Sequence, residues 1–176
     1  MAGAVIEELS YKFTIQEELS HSAKFLSKSS VAGRTHTATF GTTAPFIGYQ
    51  AQLTIGGSAD TRLIGGDLNL KRSTKLTFGA NNSQQPTKAN VGQMEVTGKL
   101  EFVIDDYTEY NYYLQATQPT VLLTFTSVTN ILTFQITKCD FEKVAGLDRS
   151  QDMVRVSASI RGLYNTTDAG PKMRSA

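Results

Sequence analysis

Hydrophobic and polar residues alternate over much of the chain, most clearly at Met94, Val96, Gly98, Leu100, Phe102 and Ile104. A period of two puts these side chains on one face of a strand. The strand runs into Asp105-Asp106, and a tyrosine-rich segment, Tyr107 to Ala116, follows. Leu9, Tyr11, Phe13 and Ile15 alternate in the same way and predict a half-buried first strand. Ile47, Tyr49, Ala51, Leu53 and Ile55 predict another, closed by Gly56-Gly57, a dipeptide that permits a tight reversal. Arg62 to Leu70 reads as a strand with a bulge or bend at Gly65-Gly66, Thr35 to Phe40 as a short strand, and Leu76 to Phe78 as a brief apolar piece. Val121–Thr126 and Ile131–Thr137 flank Ser127-Val128-Thr129-Asn130, which reads as a hairpin turn. Met153 to Gly162 is the last strand, with Val154, Val156, Ala158 and Ile160 inward.

Two segments carry helical spacing instead. In Glu17 to Ser29, Leu19, Ala23 and Leu26 recur at helical intervals. In the tyrosine segment Asp106 is a plausible N-cap, Glu109 completes a capping-box-like pattern, and Tyr107, Tyr110, Tyr113 and Leu114 form a face expected to pack on a sheet. Gly79 to Gly92 is a long polar loop, expected to be mobile in the free subunit, and Asp168 to Ala176 is a polar tail. The fold class is therefore all-β, a β-sandwich or barrel-like fold with one or two short helices, in a single domain over residues 1–176.

At 176 residues the chain can bury one proper core. Its net charge of +1 gives no general attraction to nucleic acid or anionic membrane. Charge is uneven, however. Glu7, Glu8, Glu17 and Glu18 make the start acidic, and Glu101 to Glu109 is acidic again. Between them Arg62, Lys71, Arg72, Lys75 and Lys88 face only Asp67. Such patches are solvated faces, or else complementary surfaces between copies.

Cys139 is the only cysteine, which excludes an internal disulfide and fits a buried small hydrophobe better than a nucleophile. The opening residues lack a basic region before a long apolar run, and no apolar stretch approaches a membrane span. Synthesis and retention in a cytoplasm are expected, so the acceptor patterns at Asn81 and Asn165 are coincidental.

Candidate chemistry is absent. His21 and His36 have no third ligand, so no metal is expected. Asp105-Asp106 at a helix start suits capping rather than acid–base work, and the paired glycines do not precede a helix as a phosphate loop requires. The tyrosines lie in an acidic stretch that would repel nucleic-acid phosphates. No catalytic, cofactor-binding or metal residue is assigned, and an enzyme is not expected.

One stretch, Gly92-Gln-Met-Glu-Val-Thr-Gly-Lys-Leu-Glu-Phe-Val-Ile-Asp-Asp-Tyr-Thr-Glu-Tyr110, resembles the tail tube proteins (major tail proteins) of long-tailed bacteriophages. Asp67-Leu68-Asn69-Leu70 before the polar loop and the ending Arg155 to Asn165 are similar to that family as well, so the likeness covers about residues 62–168. The resemblance implies a subunit that forms stacked hexameric rings around a tape measure protein, making a hollow tube that conducts double-stranded DNA into the host. It implies a place in the virion, other tail proteins as partners, no sequence-specific DNA contact, no membrane and no cofactor. Other expectations are a related tail or baseplate ring component, such as a distal tail protein, and a β-sandwich module for carbohydrate or peptide. The absence of tryptophan, with most tyrosines on one segment, weighs against the last.

Overall fold

The computed structural model describes residues 4–27, 44–80, 85–104, 107–128, 130–148 and 154–165, and for 145–148 the backbone alone. The expected strand at Thr35–Phe40, His36, the Asp105-Asp106 pair and the tail from Asp168 lie outside the described residues.

The alternating stretches form two antiparallel sheets. The larger has six strands in the order β2-β1-β5-β6-β10-β9. These are β1 (Val5–Thr14), β2 (Ser20–Leu26), β5 (Leu63–Thr77), β6 (Lys88–Val103), β9 (Cys139–Asp148) and β10 (Arg155–Gly162). The smaller has the order β4-β3-β7-β8, from β3 (Ala51–Ile55), β4 (Ser58–Asp60), β7 (Val121–Thr126) and β8 (Ile131–Ile136). The helix α1 (Thr108–Leu114) links β6 to β7.

The inward positions meet between the sheets. Phe13, Leu68, Val96, Leu100, Phe102 and Ile160 face Leu53, Ile55, Leu123, Phe125 and Phe134, all buried. Phe13 from the large sheet meets Phe125 of the small one edge to face at 5.2 Å, and Tyr11 meets Phe134 at 4.7 Å. Aromatic pairs in this geometry add to the burial energy. The Gly56-Gly57 turn forms as expected, with φ of +59° and +89°, the left-handed region in which glycine is unstrained. The hairpin at Ser127–Asn130 forms too, closed by the Ser127 N–H on the Asn130 carbonyl at 2.8 Å.

Four expectations are corrected. The helix expected over Glu17–Ser29 is strand β2 across Ser20–Leu26, paired from Lys12↔Ser20 to Val5↔Leu26. Its apolar face, Leu19, Ala23 and Leu26, is thin, whereas the open edge of β1 satisfies a whole row of backbone groups. A reversal at Thr14–Glu17, where the Glu17 N–H donates to the Thr14 carbonyl at 3.0 Å and the Thr14 hydroxyl to the Glu17 carboxylate, turns the chain back. Only one α-helix is therefore present among the described residues.

Second, the strand expected from Ile47 starts at Ala51, because Gly48–Gln50 is a 3-10 turn and Tyr49 is exposed. The turn packs so closely on β1 that a Cβ at Gly48 would lie 1.8 Å from the Thr14 carbonyl oxygen. Third, Leu76 belongs to the end of β5, with Phe78 just beyond it, and the polar loop is shorter than Gly79–Gly92, since β6 starts at Lys88. Polar residues occupy both faces there, the buried Thr74 included, so no apolar alternation marks the strand. Fourth, Cys139–Asp148 is a strand, β9, which the sequence pattern does not mark. Cys139 and Phe141 point inward, but two register irregularities against β10 break the period of two.

Candidate assembly surfaces

The edges come first. Among the described residues, β2 and β9 each pair on one side only in the large sheet, as do β4 and β8 in the small one. Unpaired N–H and C=O groups along an edge are a template for another strand. β2 carries Phe25 at 59% exposure and β8 carries Ile131 at 54%, so each of these edges displays a large apolar side chain.

The second feature is a two-stranded ribbon. β5 pairs β1 only as far as Glu8↔Lys71, and β10 pairs β6 only from Gly162↔Val96. Beyond these rungs, among the described residues, Arg72–Thr77 and Lys88–Met94 pair only with each other. The ribbon leaves the sandwich at the end where β1 begins. The basic cluster read from the sequence resolves here. Arg72, Lys75 and Lys88 belong to the ribbon and Lys71 stands at its base, whereas Asp67 lies between Lys12 and Lys99 in the sheet. Burial raises the Asp67 carboxyl above its ordinary range against the pull of Lys99.

The fifth cation, Arg62, does something else. Its guanidinium donates to Asp60 at 2.6 and 3.0 Å and to Glu109 at 2.5 Å, all three side chains being largely buried. The capping box expected of Asp106 and Glu109 lies partly outside the described residues, and Glu109 has this second partner. It fastens α1 to the β4–β5 connection, with fork-shaped geometry that only Arg supplies. Tyr107, at the start of the helix, makes no side-chain cap.

The helix face is also corrected. Tyr112 stacks on Phe141 at 5.4 Å, so the packed face is Glu109 and Tyr112. Tyr107, Tyr110, Tyr113 and Leu114, expected against the sheet, are 71, 46, 43 and 59% exposed. Periodicity marked an apolar face but not which way it points.

The third feature is a groove of about 450 Å³ between the sheets, opening beside Phe13, Ile15, Tyr49, Leu53, Ala59 and Leu63. It sits at the end of the sandwich opposite the ribbon, because Phe13 pairs Gly66 while Glu8 pairs Lys71. Sequence periodicity could not show it, since its walls come from β1, the 3-10 turn, β3, β4 and β5.

No reactive constellation joins these surfaces. His21 lies against the Tyr11 ring at 6.2 Å. Cys139 is fully buried, and burial pushes its thiol up to about 12, which holds it protonated and inert. Among the described residues there is no metal-ligand cluster and no helix long and apolar enough to cross a membrane.

Comparison with known proteins agrees with this picture. The family model for the phage tail tube protein matches residues 1–170, including the first sixty residues, where the sequence likeness was thinnest. Among solved structures, the tube-terminating cap of the anti-feeding prophage is similar with a TM-score of 0.55. The two are 10% identical, and the similarity covers 79% of this chain and 97% of the cap. At that identity it speaks for the fold. No curated protein matches.

Proposed function

Since the chain belongs to the phage tail tube protein family, and is a structural protein of the virion tail that assembles with itself and other tail proteins, we propose that it forms the hollow tube as stacked hexameric rings. The observation that carries this reading is the set of edges unpaired among the described residues, on a two-sheet sandwich with a ribbon at one end. Edge-to-edge pairing joins neighbours around a ring, and a rotation that closes leaves no free edge. The different ends favour stacking in one direction.

In this reading the lumen holds the tape measure protein and later passes double-stranded DNA without sequence-specific contact. The near-neutral charge of +1 suits a conduit in which DNA must not stick. The whole chain acts as one tail tube domain, made in the host cytoplasm and performing no catalysis.

Negative-stain electron microscopy of the purified full chain over a concentration series tests the proposal. Rings of six-fold symmetry, and tubes at higher concentration, are expected. A particle that stays monomeric up to millimolar concentration would refute it.

A further inference from the structure

The ribbon and the groove are opposites in shape and charge, and they stand at opposite ends of the chain. β5, 15 residues long, starts at the groove with Leu63 and ends on the ribbon at Thr77. At about 3.3 Å per residue that is roughly 50 Å, so a copy cannot place its own ribbon end in its own groove.

The ribbon side is an aromatic on a cationic arm. Residues 72–94 contain Arg72, Lys75 and Lys88 and no carboxylate. Just past the last paired residue stands Phe78, 63% exposed. The Thr87 N–H and hydroxyl both donate to the Thr77 carbonyl, at 2.8 and 3.0 Å, which holds the backbone next to Phe78 in place.

The groove side is an apolar hollow beside carboxylates. Phe13, Leu53 and Leu63 form its floor, and Ile15, Tyr49 and Ala59 stand at its mouth. The exposed Glu17 and Glu18 sit next to it on the β1–β2 turn. The Gly48 N–H donates to the Glu17 carbonyl at 2.8 Å, tying that turn to the groove wall.

We propose that the ribbon end of one copy docks into the groove of a second copy, with Phe78 entering the hollow and the ribbon cations facing Glu17 and Glu18. This deepens the tube reading, on which it rests, by assigning residues to the axial contact. The apolar insertion supplies the affinity, and the charges set encounter and orientation. The two surfaces differ and point apart, so each docking leaves one ribbon and one groove free, and the assembly extends along one line.

Cross-linking of the full chain tests the contact. Phe78→Cys protein is mixed with Ala59→Cys protein under mild oxidation; both positions are exposed, and the native Cys139 is buried and does not compete. A disulfide-linked heterodimer is expected, and none when Ser22→Cys, on exposed β2, replaces Ala59→Cys. Equal bands with both partners, or no band with Ala59→Cys while micrographs show tubes, would overturn the docking and leave the tube reading standing. Wild-type protein that never assembles removes both. Phe78→Ala should raise the concentration needed for tubes roughly tenfold or more at an unchanged melting temperature, the loss expected for one buried aromatic. Tubes from that variant at the wild-type concentration would also overturn the docking.

Discussion

Arg62 is the residue whose role the linear pattern conceals most. In the sequence it joins a basic cluster; in the fold it is buried between Asp60 and Glu109 and anchors the helix. Removing one member of a buried ionic network leaves the others uncompensated, so Arg62→Met should cost about 3 kcal/mol or more in denaturant unfolding. Cys139 gives a pH test. Its thiol is raised by burial first and by Asp140 next, from 9.0 to about 12. A group raised in the folded state contributes stability that is complete below its unfolded value and lost as pH climbs through the folded one. Stability should therefore decline between about pH 9 and 12, and Cys139→Ala should flatten that decline. An equal decline in both proteins would show that another group is responsible.

At the scale of elements, α1 ends in a Schellman arrangement. The Thr117 N–H donates to the Tyr112 carbonyl at 3.2 Å and the Ala116 N–H to Tyr113 at 3.3 Å, with Ala116 at a φ of +49°. Glycine suits that left-handed position better. Ala116→Gly should raise stability by up to about 1 kcal/mol, seen as a higher melting temperature. β6 is the counterpart, because its alternation was read correctly. Leu100 is 1% exposed between Gly66 on β5 and Ala158 on β10. Leu100→Asp buries a charge with no partner and should abolish the cooperative unfolding transition; a folded variant of unchanged melting temperature would contradict the assigned face. β2 shows the reverse situation. Its helical spacing was real but weak, and an open neighbouring edge outweighed it.

At the scale of the whole molecule, the ribbon decides what a fair truncation is. Removing Gly79–Gly92 would cut into β6, whereas replacing residues 79–87 by a two-residue turn keeps Thr77↔Lys88 as the closing pair. That variant should melt like the wild type and form rings but few long tubes in micrographs. Normal tubes would deny the ribbon end a part in stacking. High salt should act in the same direction through the ribbon's cations, since exposed charges are screened beyond about 8 Å at physiological ionic strength and over shorter distances above it.

The sequence alone determined the fold class, most strands, the Gly56-Gly57 reversal and the family likeness, because a half-buried strand writes its two environments into alternate residues. Only the tertiary structure decided the rest. β2 has solvent on both faces and the ribbon strands carry polar residues on both, Thr74 even on the buried side, so no apolar period of two marks them, and Tyr107, Tyr110 and Tyr113 display a stripe without a direction. The groove and the Arg62 network join residues from separate strands and turns, and such juxtapositions exist only once the sheets have packed.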